Sequence, residues 1–105
     1  MSGDFSGKIV VITGASTGLG RAIAVETASR GAKAVVVNYA HSAAEAEETA
    51  GLVRGHGAEA VTIQADVAED DGCKAIVAAA APYGRVDALF NNEIGRASCR
   101  ERVWR

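Results

Sequence analysis

The residues best placed to do chemistry lie in Thr13-Gly14-Ala15-Ser16-Thr17-Gly18-Leu19-Gly20, a G-x-x-x-G-x-G segment between an apolar run and a helical pattern. A turn of this kind suits a ligand that carries phosphate. Gly14 permits the tight turn, Gly18 lets the main chain approach a pyrophosphate, and Gly20 lets the following helix pack closely on the strand. The N–H groups that open the helix, together with its positive end, supply the attraction. Gly14, Ser16, Thr17, Gly18, Leu19 and Gly20 are therefore the candidate binding positions. The bland alternative is a plain glycine turn between a strand and a helix. The spacing is neither the commoner G-x-G-x-x-G nor a P-loop, because no Gly-Lys-Ser/Thr follows. Other chemistries find no footing. His41 and His56, like Cys73 and Cys99, fall in no metal-ligand spacing, and no Ser-His-Asp arrangement can be argued.

The elements that must position this turn follow from the hydrophobic pattern. Lys8–Thr13 is a β-branched run without alternation, as in a strand buried on both faces. A helix follows over roughly Leu19–Ser29, with Leu19, Ala22 and Ile23 marking its apolar face, Glu26 and Thr27 its polar one, and Gly31 as its stop. Ala34–Tyr39 is a second buried strand. Ser42-x-x-Glu45 fits a capping box opening a helix to about Arg54, which Gly55 and Gly57 end. Ala60–Gln64 is a third strand, with Asp66 just beyond it. Glu69, Asp70 and Asp71 put negative charge at the start of a helix over about 70–81, stopped by Pro82 and Gly84. Val86–Phe90 is the fourth strand. Alternating strands and helices imply right-handed βαβ units and a parallel sheet, an α/β fold.

Composition agrees with that reading and narrows the function. The chain has 105 residues, 49% of them hydrophobic and 23% charged, which excludes wholesale disorder. Its 22 Ala and 12 Gly, with a single Pro, suit closely packed helices and strands better than a disulfide scaffold. No apolar run approaches the ~20 residues needed to cross a bilayer, and no secretory signal opens the chain, so no membrane partner is expected. Residues 1–92 hold 7 basic and 11 acidic side chains, a net of −4, which argues against nucleic acid. Two cysteines without a pairing pattern fit a reducing cytoplasm.

At this point residues 1–92 resemble the N-terminal portion of a short-chain dehydrogenase/reductase. The marks are Thr13-Gly14-x-x-x-Gly18-x-Gly20, Asp66-Val67 after the third strand, and Leu89-Phe90-Asn91-Asn92 closing the fourth. Val36-Val37-Asn38-Tyr39 is similar to the 3-oxoacyl-carrier-protein reductase and glucose dehydrogenase branches. The resemblance implies a partial Rossmann-type, doubly wound parallel sheet in the order 3-2-1-4, a nicotinamide dinucleotide as cofactor, and hydride transfer between it and an alcohol or carbonyl by a homo-oligomeric parent. It gives Asp66 the adenine ring, with the Val67 main chain beside it, and Asn91 a place lining the cofactor cleft. The alternative for Asp66 is a carboxylate capping the next helix. A stand-alone nucleotide-binding module without catalysis is the rival function.

Cofactor choice rests on Asn38, Tyr39, His41 and Ser42, at and just beyond the second strand's end. An acid there would take the ribose hydroxyls of NAD, and none occurs before Glu45. The missing carboxylate leaves room for a 2′-phosphate, so NADP is favoured over NAD, with His41 and Ser42 offering hydrogen bonds and no Arg or Lys in the turn. The family's Tyr-x-x-x-Lys is missing: Tyr39 is followed four residues on by Ala43, and Tyr83 by Asp87. Without that pair nothing delivers or accepts a proton at the substrate oxygen, and the chain is expected to bind without turnover. Glu93-Ile94 stand where the family has Ala-Gly, and residues 93–105 resemble a translated sequencing-library adapter. They are expected to be a non-native tail.

Overall fold

The computed structural model describes residues 5–15, 18–66 and 69–90. Ser16, Thr17, Val67, Asn91, Asn92 and the tail at 93–105 lie outside the described residues. Among the described residues four strands and three α-helices alternate: β1 (Ile9–Ile12), α1 (Gly18–Ser29), β2 (Ala34–Tyr39), α2 (Ala43–Arg54), β3 (Glu59–Gln64), α3 (Asp70–Ala80) and β4 (Ala88–Phe90). A single 3-10 turn, Ala81–Tyr83, follows α3 and ends at Gly84, whose φ of +80° reverses the chain. The strands form one parallel sheet in the order β3-β2-β1-β4. This is the doubly wound arrangement, in the order that the family resemblance implies.

The unbroken apolar runs of β1 and β2 are explained by helices on both sides of the sheet. Val10, Ile12, Val35 and Val37 point to the layer of α1 and α2, where they meet Ala24, Ala28, Ala46 and Val53. Val11 and Val36 point the other way, onto Cys73, Ile76 and Ala80 of α3. All eight residues of Ile9–Ile12 and Ala34–Val37 are essentially inaccessible, so β-branched side chains are wanted at every position rather than at alternate ones.

Three local expectations are corrected. In α1 the buried residues are Gly20, Ala24, Thr27 and Ala28, while Leu19 is 66% exposed and Ala22 lies outward. Thr27 goes inside because its hydroxyl donates to the Ala24 carbonyl at 3.0 Å, which satisfies its polar atom within its own helix. In α2 the Ser42 side chain makes no capping hydrogen bond, so the capping-box pattern marks the right boundary without forming the box. Finally, β4 is three residues long rather than five. The Asp87 carboxylate occupies the place of a strand carbonyl by accepting the Ile9 N–H at 2.8 Å, and the ladder with β1 starts one residue later.

Candidate functional site

Parallel strands deliver their C-terminal ends to one edge of the sheet, and the candidate residues gather there. The Thr13 N–H donates to the Phe90 carbonyl at 3.0 Å, so β1 and β4 end side by side. Beyond β1 the chain turns through Gly14 (φ +62°) and enters α1 at Gly18 (φ +62°). Gly20 faces the turn's own main chain: a Cβ there would overlap the Gly14 carbonyl oxygen and the Ala15 Cα. The third glycine thus permits the close approach of helix to strand expected of it. At Gly18 a Cβ would meet only open space, so that stretch of main chain is open to a ligand. Leu19, a large exposed apolar side chain, stands beside it.

The end of β2 divides into an inner and an outer part. Asn38 is buried, and its amide is spent on main-chain partners: Oδ1 accepts the Gly14 N–H at 3.2 Å, and Nδ2 donates to the Ile63 and Ala65 carbonyls at 3.3 and 3.1 Å. Tyr39 is half-buried, His41 is exposed and Ser42 is half-buried at the start of α2. No Asp or Glu stands along Asn38–Ser42. Arg21 on α1 is engaged with α2, donating to the Thr49 hydroxyl at 2.8 Å, the Glu45 carbonyl at 3.0 Å and the Glu48 carboxylate at 3.0 Å.

Asp66 lies exposed just beyond β3, its main-chain oxygen accepting the Glu69 N–H at 3.0 Å. Its position rests on a residue that the motif reading missed. Gly72, in the first turn of α3, lies so close to Asp66 that a Cβ would collide with the Asp66 carbonyl oxygen. The available signal was a glycine inside a helix, where alanine would be favoured unless another backbone came close. The structure therefore brings Gly14, Gly18, Leu19, Gly20, Asn38, Tyr39 and Asp66 to one edge, with His41 and Ser42 at its margin. Asn38 is held within it as a strut rather than at the surface. Ser16, Thr17, Val67 and Asn91 lie outside the described residues.

A glycine turn feeding a helix N-terminus, placed where strand order reverses between β1 and β4, defines a doubly wound protein of the dinucleotide-binding class. The comparisons with known proteins carry this further. The short chain dehydrogenase family matches residues 8–99, and the chain belongs to that family. It is 43% identical over 86 residues to the short-chain dehydrogenase/reductase homolog YusS of Bacillus subtilis (strain 168), covering 81% of this chain and 78% of that one. It is 46% identical over 87 residues to an uncharacterized oxidoreductase of Methylorubrum extorquens, covering 82% of this chain and 35% of that protein. A Burkholderia cenocepacia protein described as a dehydrogenase, solved with bound NADP, superposes with a TM-score of 0.78 at 39% identity, over 87% of this chain and 36% of that one. The chain thus spans about a third of the length of the latter two. Among the described residues no helix is long and apolar enough to cross a membrane.

Proposed function

We propose that this chain is the dinucleotide-binding portion of a short-chain oxidoreductase, and that it holds the adenosine and pyrophosphate part of NADP in preference to NAD. One observation carries the reading: the glycine turn opens α1 beside the paired ends of β1 and β4, at the switch in strand order. Family membership and the NADP-bound neighbour support a nicotinamide cofactor. The residues fit such a group. The N–H groups that open α1 would take the pyrophosphate, and Gly18 leaves room for its approach. Asp66, with Val67 beside it, would take the adenine, and Asn91 would line the cleft. Tyr39, His41 and Ser42 would surround the ribose, where a 2′-phosphate meets no carboxylate. When bound, the nicotinamide would exchange a hydride with an alcohol or carbonyl in the parent enzyme. This chain supplies only binding, because no Tyr-x-x-x-Lys stands in it.

Calorimetric titration with NADPH and NADH tests the reading. NADPH is expected to bind more tightly, and Gly18→Trp to abolish binding by filling the open space at the turn. NADH binding about tenfold more tightly than NADPH, a difference of ~1.4 kcal/mol, would overturn the preference. NADPH consumption that tracks protein concentration and vanishes in Gly18→Trp would overturn binding without turnover. We further assign residues 1–92 to the family and 93–105 to a non-native tail, and place the homo-oligomeric parent in the cytoplasm. The family match runs to residue 99, and sequencing the locus past Asn92 tests the assignment: a native Asn-Asn-Ala-Gly continuation is the expected result.

A further inference from the structure

We propose that Asn38 is the positioning residue of the glycine turn, the group that decides which of the turn's N–H groups face the dinucleotide. The proposal rests on the binding reading above. Asn38 is only 2% exposed, so its amide must find partners inside the protein. It finds them on both neighbouring strands. Its Oδ1 accepts the Gly14 N–H at 3.2 Å, and its own carbonyl accepts the Ala15 N–H at 2.8 Å. Its Nδ2 donates to Ile63 at 3.3 Å and Ala65 at 3.1 Å, with a longer contact of 3.5 Å to the Tyr39 carbonyl. A flipped amide would set oxygen against those carbonyls and NH₂ against the Gly14 N–H, so only one orientation satisfies the site.

Two consequences follow for the ligand. Two successive N–H groups of the turn, at Gly14 and Ala15, are aimed at β2. Among the described residues this leaves the anion to the N–H groups that open α1. The same amide ties the turn to the end of β3, one residue before Asp66, and so fixes the spacing between the pyrophosphate and adenine positions. A leucine of similar size would fill the space but take the Oδ1 acceptor from the Gly14 N–H and the Nδ2 donor from the Ile63 and Ala65 carbonyls. An aspartate would keep the acceptor for Gly14 but bring a second oxygen against the carbonyls of Ile63 and Ala65.

Asn38→Asp is therefore a switchable version of the strut. Among the described residues its hydrogen-bond partners are main-chain groups: the Gly14 N–H and the Tyr39, Ile63 and Ala65 carbonyls. Burial and the carbonyls hold its carboxyl above the ordinary range, and once protonated its single O–H can donate to one of the two carbonyls that Nδ2 serves. The test is hydrogen exchange of the whole chain followed by mass spectrometry, with NADPH titration alongside, at about pH 5 and about pH 8. Rates are taken relative to wild type at each pH. Wild type is expected to protect the Gly14 and Ala15 amides at both. In Asn38→Asp at the higher pH, exchange in the turn should be about tenfold faster and NADPH binding about tenfold weaker. Both should return to within about threefold of wild type at the lower pH. Asn38→Leu should lose both at either pH.

Wild-type Gly14 and Ala15 amides exchanging at free-peptide rates would overturn the proposal, whether or not the variants fold. So would an Asn38→Asp chain that matches wild type at the higher pH, or one whose defect is the same at both. A wild type that protects the turn and shows the expected exchange pattern, yet binds no NADPH, would sink the dinucleotide reading and leave the strut standing.

Discussion

Gly20 and Gly51 are both helical glycines, and their surroundings give them opposite meanings. At Gly20 an added methyl would strike the Gly14 oxygen and the Ala15 Cα, main-chain atoms with no rotamer to yield. At Gly51, on the exposed side of α2, it would meet nothing within 4 Å. Gly20→Ala is expected to destabilise the protein by about 1–3 kcal/mol through overpacking, and to weaken NADPH binding because the turn is pushed away from α1. Gly51→Ala is expected to stabilise by about 0.5–1 kcal/mol, by restricting the unfolded chain and improving helix propensity. Urea unfolding of both variants checks the pair. Equal effects at the two positions would show that α1 does not lean on the turn as described. Gly72→Ala belongs with Gly20→Ala, since its methyl would displace the Asp66 main chain.

Among the elements, β4 depends most on a single side chain. The Asp87 carboxylate accepts the Ile9 N–H at 2.8 Å and pairs with the Arg85 Nε at 2.9 Å, while Arg85 reaches the Gly7 carbonyl at 3.1 Å. The Ile9 N–H does most to hold this carboxyl below its ordinary value. Desolvation opposes the shift, and the Arg85 and Lys8 charges add to it. A carboxyl whose value is lower in the folded state stabilises the fold fully above the unfolded value of 3.8, and that stabilisation is lost as pH falls through the lowered folded value. Stability should therefore decline on acidification below about pH 4. In Asp87→Asn this part of the acid dependence should be missing. Thermal unfolding at neutral pH is expected to show wild type above the variant, with the gap closing in strong acid. A gap that stays constant with pH would mean that the carboxylate's charge plays no part in holding β4.

The whole molecule is covered unequally. Among the described residues the layer of α1 and α2 closes one face of the sheet, whereas α3 alone serves the other. Beside α3 lies an open hollow of about 730 Å³, lined by Val77, Ala80, Val86 and Leu89 among others. Along the described residues β4 pairs only with β1, and its three residues are half-buried. An apolar strand paired on one side and a half-covered face are sites of association. The chain is expected to self-associate as concentration rises, and Val77→Lys, at the rim of the hollow, to reduce this. Sedimentation velocity across a concentration series measures it, and a wild type that stays monomeric throughout would refute the expectation.

Much of this architecture was legible because its signals are local. A β-branched run without alternation means a strand covered on both faces, and the G-x-x-x-G-x-G spacing needs only its flanking strand and helix to be read. Strand order 3-2-1-4 was legible only through the family resemblance, since the handedness of parallel crossovers does not decide which edge the fourth strand joins. The remaining features depend on pairs of groups far apart in the chain. Asn38 was legible as a position without negative charge, but its inward amide depends on Gly14, 24 residues away, and on Ile63, 25 residues away. The length of β4 depends on a contact between Asp87 and Ile9, 78 residues apart. Thr27 looked polar and went inside because its own helix satisfied its hydroxyl. Periodicity and motif spacing report what a residue prefers with its neighbours in sequence. Where a buried polar group finds its partner is decided only when distant strands come together, since an unpaired group in the interior costs more than its local preference is worth.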